Sequence, residues 1–124
     1  MPVDVSIDKK SDLVLRVVQG LVSTDELLKS LEDVLNHPDY HPGMKSLTDL
    51  REATPFTNTG DVEQIANLLQ KRKDRFKEGK AAVVVSKEVS YGMIRMLQAY
   101  AADSPFEIEV FYDIEEAKKW LGVN

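Results

Sequence analysis

Asp49 and Arg51 stand two residues apart near the end of a short strand reading, Lys45 to Arg51, so their side chains point the same way. As an ion pair they could shape a pocket on the loop side, where the Arg51 fork could grip an anionic head group. The same pair could equally do no more than anchor the loop that follows. That loop, 52–60, carries the turn residues Pro55, Asn58 and Gly60 together with the hydroxyls of Thr57 and Thr59. A loop between strand and helix is where α/β proteins usually place binding and switching, so Asp49, Arg51, Thr57, Asn58 and Gly60 form one candidate site.

Three other groups have types and spacings that bear on chemistry. His37, Asp39 and His41 fall within five residues, but zinc wants three or four ligands in fixed geometry. Pro38 and Pro42 constrain that loop and no further ligand lies nearby in sequence, so no metal and no cofactor is expected. Lys71, Arg72, Lys73, Arg75, Lys77 and Lys80 concentrate positive charge and could meet anionic head groups or a phosphorylated partner. Asp74 and Glu78 dilute that charge, and helical spacing spreads it around the cylinder, which favours a solvated helix end. Tyr91, Met93, Met96 and Tyr100 lie on or beside one broad helical arc, and methionine is common on adaptable binding surfaces. These four could line an apolar pocket or a homodimer interface, or could simply pack as core.

Catalysis finds less support. A nucleophilic Ser or Thr needs a base in reach, and both histidines lie in one loop with no hydroxyl assigned to them. Absence of cysteine excludes disulfides, thiolate catalysis and cysteine metal sites. The expectation is therefore a protein that is not an enzyme. A net charge of -5 argues against a general nucleic-acid binder. The polar start MPVDVSIDKKSD lacks a signal-peptide core, and no apolar run reaches the roughly 18–20 residues of a membrane span. A cytoplasmic location is the default expectation.

The elements that must position these residues are well marked. At 124 residues, with 43% hydrophobic and 30% charged, the chain reads as a single globular domain over 1–124. Val3, Val5 and Ile7 alternate with polar residues, and Leu13, Leu15 and Val17 resume the alternation after Lys9-Lys10-Ser11, which predicts an antiparallel hairpin. The second strand also carries Val14 and Val18, and so is expected to be buried on both faces near its end. Ser23 with Glu26 makes a capping box for a helix bearing Leu27, Leu28, Leu31, Val34 and Leu35, which Pro38 ends. After the third strand, Thr59 or Asp61 caps a second helix, with Val62, Ile65, Ala66, Leu69 and Phe76 inward and the basic tail KRKDRFK. Ala81 to Val85 reads as a central strand. A helix follows from about Glu88 to Ala102, with an apolar arc of roughly 160°. An edge strand, Phe106 to Tyr112, leads to a last helix with a second capping box at Asp113 and Glu116. The order is ββαβαβαβα, which implies parallel strands joined by right-handed crossovers after the opening hairpin.

Four segments together resemble the SpoIIAA-like family of small bacterial STAS-type domains, a group related to CRAL-TRIO lipid-binding domains. They are the hairpin with VVQGLVSTDEL, then HPDYHPGMKSLTDLRE, VSYGMIRMLQAYA and VFYDIEEAKKWL. The resemblance implies a mixed sheet of four to five strands with helices mainly on one face. It also implies a regulatory or protein-interaction role like that of the anti-sigma-factor antagonists, which bind a kinase and are switched by phosphorylation of a serine after the third strand. Set against that pattern, Asp49, Leu50 and Gly60 match, and Thr59 falls on the phosphorylated serine. Thr57 and Asn58 replace an acid and a serine, and Arg51 replaces another serine. The alternative, from the wide arc at Tyr91 to Tyr100 and the CRAL-TRIO link, is a carrier or sensor of a lipid-like or other apolar ligand. Partners left open are thus a protein, an apolar small molecule or a second copy in a homodimer.

Overall fold

The computed structural model describes residues 2–54 and 59–123, with the side chain of Thr59 outside the description. Strands β1 (Val3–Asp8) and β2 (Leu13–Gly20) form the expected antiparallel hairpin, with Val3 opposite Val18 and Asp8 opposite Leu13. Helix α1 (Thr24–Leu35) leads to β3 (Lys45–Ala53), parallel to β2. Helix α2 (Thr59–Lys71), a single turn α3 (Lys73–Phe76) and β4 (Lys80–Val84) follow. Helix α4 (Glu88–Tyr100), β5 (Glu107–Phe111) and α5 (Ile114–Leu121) complete the chain. The five strands lie in the sheet in sequence order, β1-β2-β3-β4-β5, with every pair after the first parallel.

Sequential parallel strands joined by crossovers of one hand must carry their connecting helices on one face. The core clusters follow that rule. Side chains of one parity face α1, α2 and α4: Val14 and Val18, Leu50, Val83 and Val85, Ile108 and Val110. Those of the other parity, Leu13, Leu47, Ala82 and Val84, meet Ala117 and Leu121 of α5. Ala82, Val84 and Val85 are fully buried, as expected for a central strand covered on both faces.

Helix α5 is only eight residues long and covers only part of its face. This corrects the expectation for β2: its start is buried, at Leu13 and Val14, whereas Val17 is 36% exposed and Gln19 and Gly20 are exposed. Val18 alone is buried near the end, under α1. Strand β3 is longer than expected. After an irregularity between Val17 and Gln19, pairing continues from Gln19–Glu52 to Gly20–Ala53, and Thr54 N donates to Gly20 O at 2.9 Å.

The local signals at helix ends were mostly sufficient. Ser23 and Glu26 exchange both capping-box bonds, at 3.1 and 2.9 Å. Asp113 caps α5 by accepting from Glu115 N at 2.9 Å, but the reciprocal bond from Glu116 is not formed. Asp61 lies inside the first turn of α2 rather than at its cap, where its charge complements the helix dipole. The basic tail does not continue α2: the helix ends at Lys71, and Phe76 reaches the core from α3, its ring 5.5 Å from that of Phe106.

Candidate functional site

The site begins with small side chains on the helix-covered face of the sheet. Ser46, Thr48, Ala81 and Val83 occupy adjoining positions of β3 and β4 there, with Ser46 opposite Ala81 and Thr48 opposite Val83. The helices above contribute Leu31 and Val34 from α1 and Ile65 and Leu69 from α2. Small floor residues beneath side chains held apart by two helix backbones leave a void that neither layer fills. The cavity measures about 90 Å³. Met44, Phe76 and Phe106 also line it, with Tyr40, whose hydroxyl donates to Arg75 O at 2.9 Å. Leu97 is the contribution of α4.

Two charged residues belong to this lining, Lys80, whose ammonium lies over the Trp120 ring on the other face of the sheet, and Arg16, whose guanidinium breaks the apolar surface. Arg16 of β2 has the parity of Val14 and Val18, so it projects toward the helices, beside Thr48 of β3. Its Nε donates to Thr48 Oγ1 at 3.3 Å and its Nη1 to Ser30 Oγ at 2.8 Å. Ser30 in turn donates to Leu27 O at 2.8 Å, so its oxygen is held in place to accept. That role explains why a serine, 5% exposed, sits in the buried stripe of α1 while Leu28 and Leu31 stay half-buried. Arg16 keeps part of its own surface, yet its guanidinium lies deep among neighbouring atoms. Desolvation pushes its pKa down to about 10, with no charged neighbour offsetting it. No hydrogen bond is formed by Nη2 to any described residue. Since no described side-chain N or O is both fully buried and unbonded, Nη2 keeps accessible surface.

The residues expected from sequence are distributed over other places. Asp49 and Arg51 do share a face, the one α5 leaves uncovered, beyond the end of its apolar patch. Arg51 Nε and Nη2 donate to the two Asp49 oxygens at 2.9 and 2.8 Å, and the Arg51 backbone N donates to Oδ1 at 3.0 Å. These bonds hold the Asp49 carboxyl below its usual range, and Asp49 holds the guanidinium pKa up. Ser86 Oγ donates to Arg51 O at 2.8 Å, tying the strand end to the turn after β4. The fork of Arg51 is therefore already engaged by its neighbour. Thr57 and Asn58 lie outside the described residues, as does the Thr59 side chain, while the backbone of Thr59 and Gly60 begins α2.

On α4 the buried line is Ser90, Ile94 and Leu97, with Met93 and Met96 half-buried beside it. Tyr91 stacks on Tyr112 with ring centroids 4.9 Å apart and planes 7° from parallel. Tyr100 is 45% exposed and donates to Glu63 Oε1 at 3.0 Å. None of these four lines the cavity under α1 and α2.

His37 Nδ1 accepts from Asp39 N at 3.0 Å, and His41 Nε2 pairs with Asp12 at 2.7 Å. Asp39 pairs instead with Lys9, 3.2 Å away. Among the described residues no group of three or more His, Asp or Glu could hold a metal ion. The basic cluster is partly consumed in structure. Arg72 pairs with Glu32, Arg75 donates to Leu35 O at 2.6 Å, and Lys80 lies 5.0 Å over the Trp120 ring. No helix among the described residues is long and apolar enough to cross a membrane.

Sequence reasoning passed over Arg16, although a signal was present. In LVLRVV the hydrophobic alternation can be read in two phases. The phase through Leu13, Leu15 and Val17 leaves Arg16 outward, whereas the phase through Val14 and Val18 turns it inward. Val3, Val5 and Ile7 pack on the clusters of Val14 and Val18, which fixes the second phase as the helix-facing one.

The hairpin, the ordered parallel strands and the helices gathered on one face with a single helix behind define a SpoIIAA-like fold, as the sequence resemblance implied. A solved structure from Shewanella loihica PV-4, an uncharacterised protein of the DUF3478 family with a SpoIIAA-like fold, matches with a TM-score of 0.62 over 96% of this chain and 91% of its own. The two sequences are 16% identical, so the likeness is one of fold. No family model and no curated protein matches the sequence.

Proposed function

We propose that this chain is a non-enzymatic regulatory module that holds a small apolar ligand in the cavity between the sheet and helices α1 and α2. The supporting observation is the cavity itself: about 90 Å³, apolar nearly throughout, and floored by small side chains from adjacent strands. Concave, mostly apolar pockets with a few placed polar groups are where small ligands bind. Native mass spectrometry of gently purified protein tests the reading. It is expected to show a bound mass that denaturation releases. A clean unliganded spectrum, together with no response to small apolar probes, contradicts it.

A second reading has its own observation. Large apolar side chains are exposed at the carboxyl end of the parallel strands: Leu21 after β2 at 83%, Val89 at the start of α4 at 47%, and Tyr112 after β5 at 51%. This rim also carries Asp49 and Arg51 and leads into the loop with Thr57, Asn58, Thr59 and Gly60. A protein partner, or a second copy of the chain, docking there with phosphorylation of Thr59 as a switch would correspond to the STAS-type role. Affinity capture with wild-type and Leu21→Ser protein, combined with light scattering and phosphosite mapping, tests it. A partner or dimer lost in the variant favours this reading. A monomer with no partner and no phosphate at Thr59 counts against it.

A further inference from the structure

We propose that the ligand of this cavity carries a carboxylate, which Arg16 receives. The inference rests on the cavity reading above and adds the chemical class of its occupant. Buried arginines are ordinarily paired, because an isolated cation loses hydration without compensation. Arg16 has only two neutral hydroxyl partners, Thr48 and Ser30, and no carboxylate contacts it among the described residues. Among the described residues no carboxylate lines the cavity to complete the pair.

The polar groups beside Arg16 are matched to an acceptor. Thr48 Oγ1 accepts from Arg16 Nε, which leaves its own proton to donate. Ser46, on the same face of β3, adds a second hydroxyl to the lining. Arg16 Nη2 keeps accessible surface and makes no bond to a described residue. A guanidinium is donor-only, and a carboxylate offers two acceptor oxygens at the spacing of its fork. Lys80, also in the lining, turns its ammonium to the Trp120 ring on the other face, so one guanidinium is left to balance one negative charge, which suits a monocarboxylate better than a phosphate dianion. The walls beyond Arg16 are hydrocarbon and aromatic, which places a short aliphatic or aryl tail there. The four tail carbons of a five-carbon acid would be buried against those walls, which favours binding in proportion to the apolar area removed from water.

Isothermal titration with pentanoate, pentan-1-ol and pentylamine, on wild-type and Arg16→Met protein, tests the proposal. The expected result is that wild type binds pentanoate at least tenfold more tightly than pentanol and pentylamine. Arg16→Met should lose that preference while keeping its affinity for pentanol. Equal binding of pentanoate and pentanol by wild type overturns the carboxylate assignment and leaves the apolar cavity reading standing. Preference for the amine overturns it as well. Binding of none of the three overturns the cavity reading and this one with it. Should Arg16→Met fail to fold, the Arg16 Nε–H resonance of the wild type decides: it should shift on adding pentanoate but not pentanol, and an unmoved resonance overturns the assignment.

Discussion

Removing Arg16 together with its hydroxyl partner should cost the protein no stability. Desolvation lowers the Arg16 pKa to about 10, and one pKa unit corresponds to about 1.36 kcal/mol, so the charged form carries a penalty of roughly 3 kcal/mol. The residue keeps part of its surface, and screening through it reduces that to about 2 kcal/mol. The bonds to Ser30 and Thr48 return about 0.5–1.5 kcal/mol each. Arg16→Met alone should be close to neutral, because it also strands the Thr48 hydroxyl, a residue only 4% exposed. Thr48→Val alone should lose about 1–3 kcal/mol, since it leaves Arg16 Nε without its acceptor. The double variant Arg16→Met/Thr48→Val removes the charge, the donor and the acceptor together, and should match wild type or exceed it by up to about 1 kcal/mol, in line with apolar replacement of buried ionic groups. Urea denaturation at pH 7 measures this as a midpoint at or above that of wild type, at unchanged slope. A double variant at least 1 kcal/mol less stable than wild type would refute the reasoning, because Arg16 would then be a structural support.

Three further outcomes follow from other contacts. The His41 pKa is raised, chiefly by its bond to Asp12, so its contribution to stability is fully present below the ordinary value of 6.5 and is lost as pH rises through the folded value. NMR titration should find the Asp12→Asn variant returning His41 toward 6.5. The Asp49 pKa is lowered by Arg51, so its stabilisation holds above 3.8 and disappears as pH falls through the folded value. Acid unfolding of Asp49→Asn should show a flatter profile below that pH, with a loss at pH 7 of about 1 kcal/mol or less, as for a partly exposed pair. A Cβ at Gly79 would meet Met44 O at 2.9 Å and Phe76 O at 3.0 Å, both backbone atoms. Gly79→Ala should therefore lower stability by about 1–3 kcal/mol in thermal or urea unfolding.

The fold was legible because most of its determinants are local. The alternation in β1, the valine run of β4 and the Ser23–Glu26 capping box each name an element without reference to the rest of the chain. Crossover handedness then fixes the face the connecting helices take, whereas the strand order β1-β2-β3-β4-β5 comes from the structure. What escaped depends on distant neighbours. Whether Val17 or Val18 is buried depends on how far the eight-residue α5 reaches across the far face, and no residue near β2 encodes that. The same phase ambiguity concealed Arg16, the one charged side chain of the cavity lining that donates to hydroxyls of both α1 and β3. The cavity is a property of layers: small residues on β3 and β4 create it only because α1 and α2 stand over them. Asp49 and Arg51 were legible as a pair, since two-residue spacing on a strand suffices, and the pair is indeed bidentate. The width of the α4 arc was legible too, but part of it goes into half-buried contacts and the Tyr91–Tyr112 stack rather than into the cavity.

The central claim, that the cavity under α1 and α2 is where a ligand sits, is tested most directly by a methyl NMR titration with pentanoate. The account predicts saturable shifts at Val14, Leu31, Val34, Ile65, Leu69 and Val83, six of the residues whose methyl groups line the cavity, with Leu21 and Val89 unmoved. Shifts confined to Leu21 and Val89 at the carboxyl rim, or no saturable shift at any of these methyls, would contradict it.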